Sequence, residues 1–102
     1  MSANEKIRNN DDLTPLEFHL GQNYPNPFNK STKIKFCVPY RAEITLSIHD
    51  LHGFLLKRLL KGTKDAGTYE VEFEADRLPE GIYFCRLKAG EYLEEKRIEI
   101  KR

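Results

Sequence analysis

The chain predicts a single all-β domain, a sandwich of six or seven short antiparallel strands, from three observations. Apolar and polar residues alternate with period two in several segments, the pattern of strands with one buried and one wet face. Turn-forming residues interrupt those segments at the spacing of a β-sandwich. A chain of 102 residues buries roughly two-thirds of its unfolded surface, enough for one compact core and not two.

Residues 1–12 are polar apart from Ile7 and predict a flexible tail, with the domain running over 13–102. From Gly21 to Asn29 two prolines remove backbone donors and push the residues before them into extended geometry, predicting an ordered, non-helical loop pinned by Tyr24 and Phe28. Thr32–Val38 places Ile34, Phe36 and Val38 on one face and lysines on the other, and Pro39 ends that strand. Glu43–His49 repeats the pattern with Ile44, Leu46 and Ile48 inward. The turn chemistry of Asp50-Leu51-His52-Gly53 then predicts a hairpin to the next segment.

Phe54–Lys61 is ambiguous, because Leu51, Phe54, Leu55 and Leu59 also line one side of a helix. Its shortness and the bounding Gly53 and Gly62 predict a strand. Thr68–Glu74 is the cleanest alternation, with Tyr69, Val71 and Phe73 set against three glutamates. After the turn Leu78-Pro79-Glu80-Gly81, the strand Ile82–Lys88 is apolar on both faces, and beyond Ala89-Gly90 the strand Tyr92–Lys101 closes the fold. Tyr83, Cys85 and Leu87 point one way and Ile82 and Phe84 the other. A sandwich with a wet outer face leaves Ile82 and Phe84 as a contact surface, unless the segment around Tyr24 and Phe28 folds across them.

Composition narrows the function. Hydrophobic residues at 39% and charged residues at 32% fit a domain that folds in water. Phe54-Leu55-Leu56 is typical of the longest apolar runs, far below the roughly 20 residues of a membrane span. The 17 Lys and Arg nearly cancel the 16 Asp and Glu, and the two signs are interspersed from Lys30 to Arg102, which argues against nucleic acid as a partner. The N-terminus carries no apolar stretch of a secretory signal.

Chemical candidates fail in turn. His49 and His52 flank Asp50, but at the end of a strand their side chains diverge and no third ligand converges, so neither a metal nor another cofactor is expected. Two cysteines allow one disulfide, yet Cys37 lies on a lysine face while Cys85 points inward. His19 has no partner carboxylate, no serine sits in a nucleophile elbow, and the dispersed glycines build no phosphate loop. Tyr40 and Tyr92 alone are too few aromatics for a sugar platform. The expectation is a protein without catalytic activity.

The segment Leu20-Gly21-Gln22-Asn23-Tyr24-Pro25-Asn26-Pro27-Phe28-Asn29, followed by Ser31–Phe36, resembles the opening of the type A carboxy-terminal sorting domains of the type IX secretion system of Bacteroidota. Further pieces of that pattern follow in order: Ile48–Gly53 with Asp50 and Gly53, Ala66-Gly67-Thr68-Tyr69, Leu78 through Gly81-Ile82-Tyr83-Phe84, and Lys96-Arg97-Ile98-Glu99-Ile100-Lys101. Lys30 replaces a second proline, and Phe73 stands where tryptophan is common.

The resemblance implies an immunoglobulin-like β-sandwich of about seven strands, similar also to the immunoglobulin-like domain of the flagellar hook-capping protein. It implies a monomeric sorting signal that directs an exported protein through the periplasm to the cell surface or medium, with the outer-membrane translocon and a sortase as partners. A signal read behind a folded passenger must stay accessible. The expected contacts are therefore Lys96, Arg97, Ile98, Ile100 and Lys101 of the last strand, with Ile82 and Phe84 beside them. The plainer reading is that these charges are solvated and guard an edge strand. The alternative function is a structural or adhesive immunoglobulin-like module that stabilises a larger assembly.

Overall fold

The structure, a computed structural model, describes residues 14–102. The tail expected at 1–12 lies outside the described residues. Among the described residues seven strands follow one another: β1 (His19–Leu20), β2 (Ser31–Val38), β3 (Ala42–His49), β4 (Leu55–Lys64), β5 (Gly67–Glu74), β6 (Gly81–Ala89) and β7 (Tyr92–Ile100). They form a three-stranded sheet, β1-β2-β5, and a four-stranded sheet, β4-β3-β6-β7, in which every pairing is antiparallel. The described residues contain no helix.

Alternation decides what the sheets bury. Ile34, Phe36 and Val38 of β2 and Phe73 of β5 meet Ile44, Leu46 and Ile48 of β3, Cys85 and Leu87 of β6, and Ile98 and Ile100 of β7, all nearly inaccessible. On the outside of the smaller sheet the lysine face of β2 meets the glutamate face of β5 in register, Lys33 opposite Glu72 and Lys35 opposite Glu70. Opposite charges directly across strands favour this register over a slipped one.

The β3–β4 hairpin turns on Asp50. Its Oδ1 accepts from the backbone N–H of His52 and of Phe54, each at 2.9 Å, and Gly53 takes φ +88°, a conformation that disfavours a side chain. The ladder between β3 and β4 is interrupted by register shifts at Leu46/Ser47 and at Ile48/His49. Each shift inserts one extra residue in β4, so Leu55-Leu56 and Leu59-Leu60 become adjacent apolar pairs instead of alternating singles. That is why this strand also reads as a helix face.

Two of the three crossovers between the sheets, β4 to β5 and β5 to β6, end alike. Tyr69 donates its hydroxyl to the carbonyl of Asp65 at 2.7 Å, and Tyr83 donates to that of Pro79 at 2.6 Å. In each the residue two before the tyrosine is a glycine at positive φ, Gly67 at 157° and Gly81 at 155°. Four strands facing three leave one strand overhanging, and it is β4, none of whose ten residues is buried.

Candidate functional site

The asparagine and proline segment joins the beginning of the domain to its end. Gly21 N–H donates to the Lys35 carbonyl at 2.9 Å, and a Cβ at Gly21 would sit 3.3 Å from that oxygen, so the chain hugs β2 there. Tyr24 and Lys33 exchange both backbone hydrogen bonds at 3.0 Å. The segment then crosses to the other sheet, where Phe28 N–H donates to the Glu99 carbonyl at 3.0 Å and Lys101 N–H donates to the Phe28 carbonyl at 2.8 Å. One short stretch thus belongs to both sheets and closes the sandwich on its β1/β7 side.

Asn23 and Asn26 do different work. Asn23, 3% exposed, spends its amide inside the loop: Nδ2 donates to the Pro25 carbonyl at 3.1 Å and to Thr32 Oγ1 at 3.0 Å, and Thr32 Oγ1 donates to Pro25 at 2.7 Å. Asn26 reaches outward, its Oδ1 accepting from Glu99 N–H at 2.9 Å. Gln22 Nε2 donates to the Arg97 carbonyl at 2.7 Å. Gln22, Asn26 and Phe28 therefore occupy the outer edge of β7, the row of backbone groups that an edge strand otherwise offers to another chain. We call this arrangement the clip. Arg102 completes it, donating to the carbonyls of Asn29 at 3.1 Å, Asp76 at 2.9 Å and Leu78 at 2.8 Å.

The expected contact residues divide into two groups. Ile98 and Ile100 are fully buried among the core side chains, so these two are corrected from contact candidates to core residues: period two turns them inward. Lys96 is half-buried on the core side of β7, 3.5 Å from Glu94. Ile82, Phe84 and Arg97 do share the outer face of the larger sheet, where Phe84 lies directly opposite Arg97 and opposite His49 on the other flank. Ile82 and Phe84 are half-buried, Arg97 and Lys101 exposed. Phe28 does not fold over this face, since it enters the core edge-on to Phe73 with ring centroids 5.8 Å apart, and Tyr24 is 81% exposed.

Of the motif residues, Asp50 and Gly53 shape the hairpin turn, Gly67 and Gly81 the crossovers, Tyr83 the second tyrosine lock, and Asn29 offers its carbonyl to Arg102. Gln22 and Arg102 are the members of the clip that sequence reasoning missed. The sequence reads Arg102 as a terminal charge able to pair with acidic groups on a receptor, and its contact to Asn29, 73 positions away, leaves no mark in local spacing.

Apart from Cys37, the reactive side chains here are spent internally or buried. Ser47 and His49, 5% and 6% exposed, form a closed chain in which His49 Nδ1–H donates to the Gly53 carbonyl at 3.2 Å and Nε2 accepts from Ser47 Oγ at 2.8 Å. Cys37 and Cys85 are both free thiols, half-buried and buried, and burial pushes the Cys85 thiol up to about 12. Burial alone would raise the Glu94 carboxyl. Hydrogen bonds from Tyr92 and from Leu20 N–H, with the Lys96 ammonium, outweigh burial and hold it below its usual range. Among the described residues no three His, Cys, Asp or Glu side chains gather as a metal site would require.

Comparison with known proteins agrees with this architecture. A solved chain of PorZ, an essential bacterial surface component of the type IX secretion system of Porphyromonas gingivalis, superposes with a TM-score of 0.55 at 21% identity over 83% of this chain. The match spans only 11% of the PorZ chain, and at that identity it speaks for the fold alone. No curated protein matches in sequence. The family model described as the secretion system C-terminal sorting domain matches residues 22–101, from the first residue of the clip to the end of β7. The chain therefore belongs to the secretion system C-terminal sorting domain family.

Proposed function

We propose that the export apparatus reads this domain as a folded signal through the outer face of its larger sheet, at Ile82, Phe84 and Arg97, with Lys101 at the rim. The family's role is that of a C-terminal sorting signal for type IX secretion. The observation that carries the reading is the clip. It covers the outer edge of β7, so recognition by adding a strand to that edge is disfavoured, while the half-buried Ile82 and Phe84 beside an exposed Arg97 stay accessible on a rigid sheet. Apolar side chains next to an arginine form the kind of patch that anchors protein contacts. The partners are the outer-membrane translocon and sortase, the destination is the cell surface or medium, and the domain itself performs no catalysis.

The test is secretion of a fluorescent passenger placed between a signal peptide and residues 13–102, in a host with a type IX system. Deleting residues 96–102 is the wrong perturbation, because it removes Ile98 and Ile100 from the core and confuses recognition with folding. Phe84→Ser and Arg97→Glu change the outer face and leave the core intact. Passenger held in the periplasm by either variant, with a melting curve like wild type, supports the reading. Normal export by both would sink it. A wild-type fusion that alters assembly without directing export would favour the structural module.

A further inference from the structure

The near-neutral total charge hides a local excess. Between Leu51 and Lys64 there are four lysines or arginines, at positions 57, 58, 61 and 64, and not one Asp or Glu. The interspersed charge expected from the sequence does not extend to this hairpin. Among the described residues the first part of that stretch, up to Arg58, stands exposed, because β4 overhangs the smaller sheet. Leu51, Phe54, Leu55 and Leu56 are 62%, 69%, 49% and 40% exposed. Together they show roughly 400 Å² of surface, within the range that marks contact sites. Among the described residues ion pairing barely engages these cations, for Lys57 comes no nearer than 3.9 Å to Asp76 and both side chains stay about half exposed or more.

We propose that the β3–β4 hairpin is a membrane-contact element, seating Leu51, Phe54, Leu55 and Leu56 in the interface of an anionic lipid surface with Lys57 and Arg58 at the level of the headgroups. Charge selects the sign of the occupant, and a second copy of the chain would set cation against cation. Shape selects lipid over protein. Phe54 at the turn and Leu55 and Leu56 at the start of β4 are three consecutive apolar residues, each at least 40% exposed, so the apolar surface wraps the tip of the hairpin instead of lining one face. A soft interface surrounds such a tip, whereas a folded partner covers one side of it. The two register shifts also make β4 a poor template for an added strand. Apolar insertion flanked by cations is the arrangement by which peripheral elements hold anionic membranes. This inference does not rest on the sorting role.

Cosedimentation of the full chain with vesicles of phosphatidylcholine, with and without about one-third phosphatidylglycerol, tests it. Binding is expected only to the anionic vesicles. Lys57→Gln/Arg58→Gln is expected to lower the partition coefficient about twenty-fivefold at low salt, roughly fivefold per cation. Phe54→Ser/Leu55→Ser is expected to lower it at least tenfold, roughly the effect of withdrawing two half-exposed apolar side chains from the interface. Both pairs lie on the exposed hairpin, so melting curves matching wild type are expected alongside. Undiminished binding by Phe54→Ser/Leu55→Ser, equal binding to uncharged vesicles, or no binding by the wild-type chain would each overturn the proposal, the last in favour of an acidic protein surface.

Discussion

Two aromatic residues of one motif, Tyr24 and Phe28, carry opposite predictions. Phe28 is 3% exposed, packs edge-on against Phe73 and lies on the backbone stretch that ties the opening segment to β7. Truncating a buried phenylalanine costs about 3–5 kcal/mol, the lost transfer free energy plus the cavity left behind. At about 4 kcal/mol, Phe28→Ala removes much of the 5–15 kcal/mol by which a typical domain is stable and lowers Tm by about 20 °C. Tyr24, 81% exposed, has almost nothing to lose beyond its backbone pairing, which survives substitution. Tyr24→Ala is therefore expected to stay within about 0.5 kcal/mol of wild type. Urea and thermal melts of the two variants side by side are the assay. A Tm loss under about 5 °C for Phe28→Ala, or equal losses for the two, would refute the claim that Phe28 closes the core while Tyr24 stands outside it.

Three further outcomes are expected. Arg102→Ala should cost about 1 kcal/mol in urea unfolding, because three carbonyls lose a shared charged donor at an exposed site, and Arg102→Lys should restore little, lacking the fork that reaches all three. In thiol labelling at neutral pH Cys37 should react at once and Cys85 only on unfolding, since burial keeps the latter a thiol up to about 12; equal rates would contradict the packing of β6. The Glu94 carboxyl is held below its ordinary value of 4.5 in the fold, so it contributes stability above that pH and loses the contribution as pH falls through its depressed value. Wild type and Glu94→Gln should accordingly differ in stability at pH 7 and converge as the pH falls from 4.5 through the depressed Glu94 value, and parallel curves throughout that fall would count against the Tyr92–Glu94–Leu20 contacts.

How much of this was legible beforehand depends on the range over which each contact acts. The strands of β2, β3 and β5 are visible because burial of one face imposes period two on Ile34, Phe36 and Val38 or on Tyr69, Val71 and Phe73. The same rule turns Ile98 and Ile100 inward, and applied to the last strand it separates them from Arg97 on the sequence alone. In β4 the rule fails for a physical reason, since each register shift resets the alternation. Pairing order was not legible, because several strands with the same alternation fit more than one neighbour. The clip was recognisable as a motif and not as a contact: nothing local to Asn26 says that its acceptor belongs to the backbone of Glu99.

The clip also bears on when the domain can form. Its hydrogen bonds from Gln22 to Arg97 and from Glu99 to Asn26 link positions 75 and 73 residues apart, so Gln22 and Asn26 leave the ribosome long before these partners exist. Until then the larger sheet lacks β7 and the core lacks Ile98 and Ile100. Contacts this distant in sequence also form slowly, because the loop must close before they add any stability. The native sandwich is thus a late product of synthesis, and a chain truncated before residue 98 never acquires it. A machine that reads only the closed sandwich would, in the same act, verify that the domain has been made to its last strand.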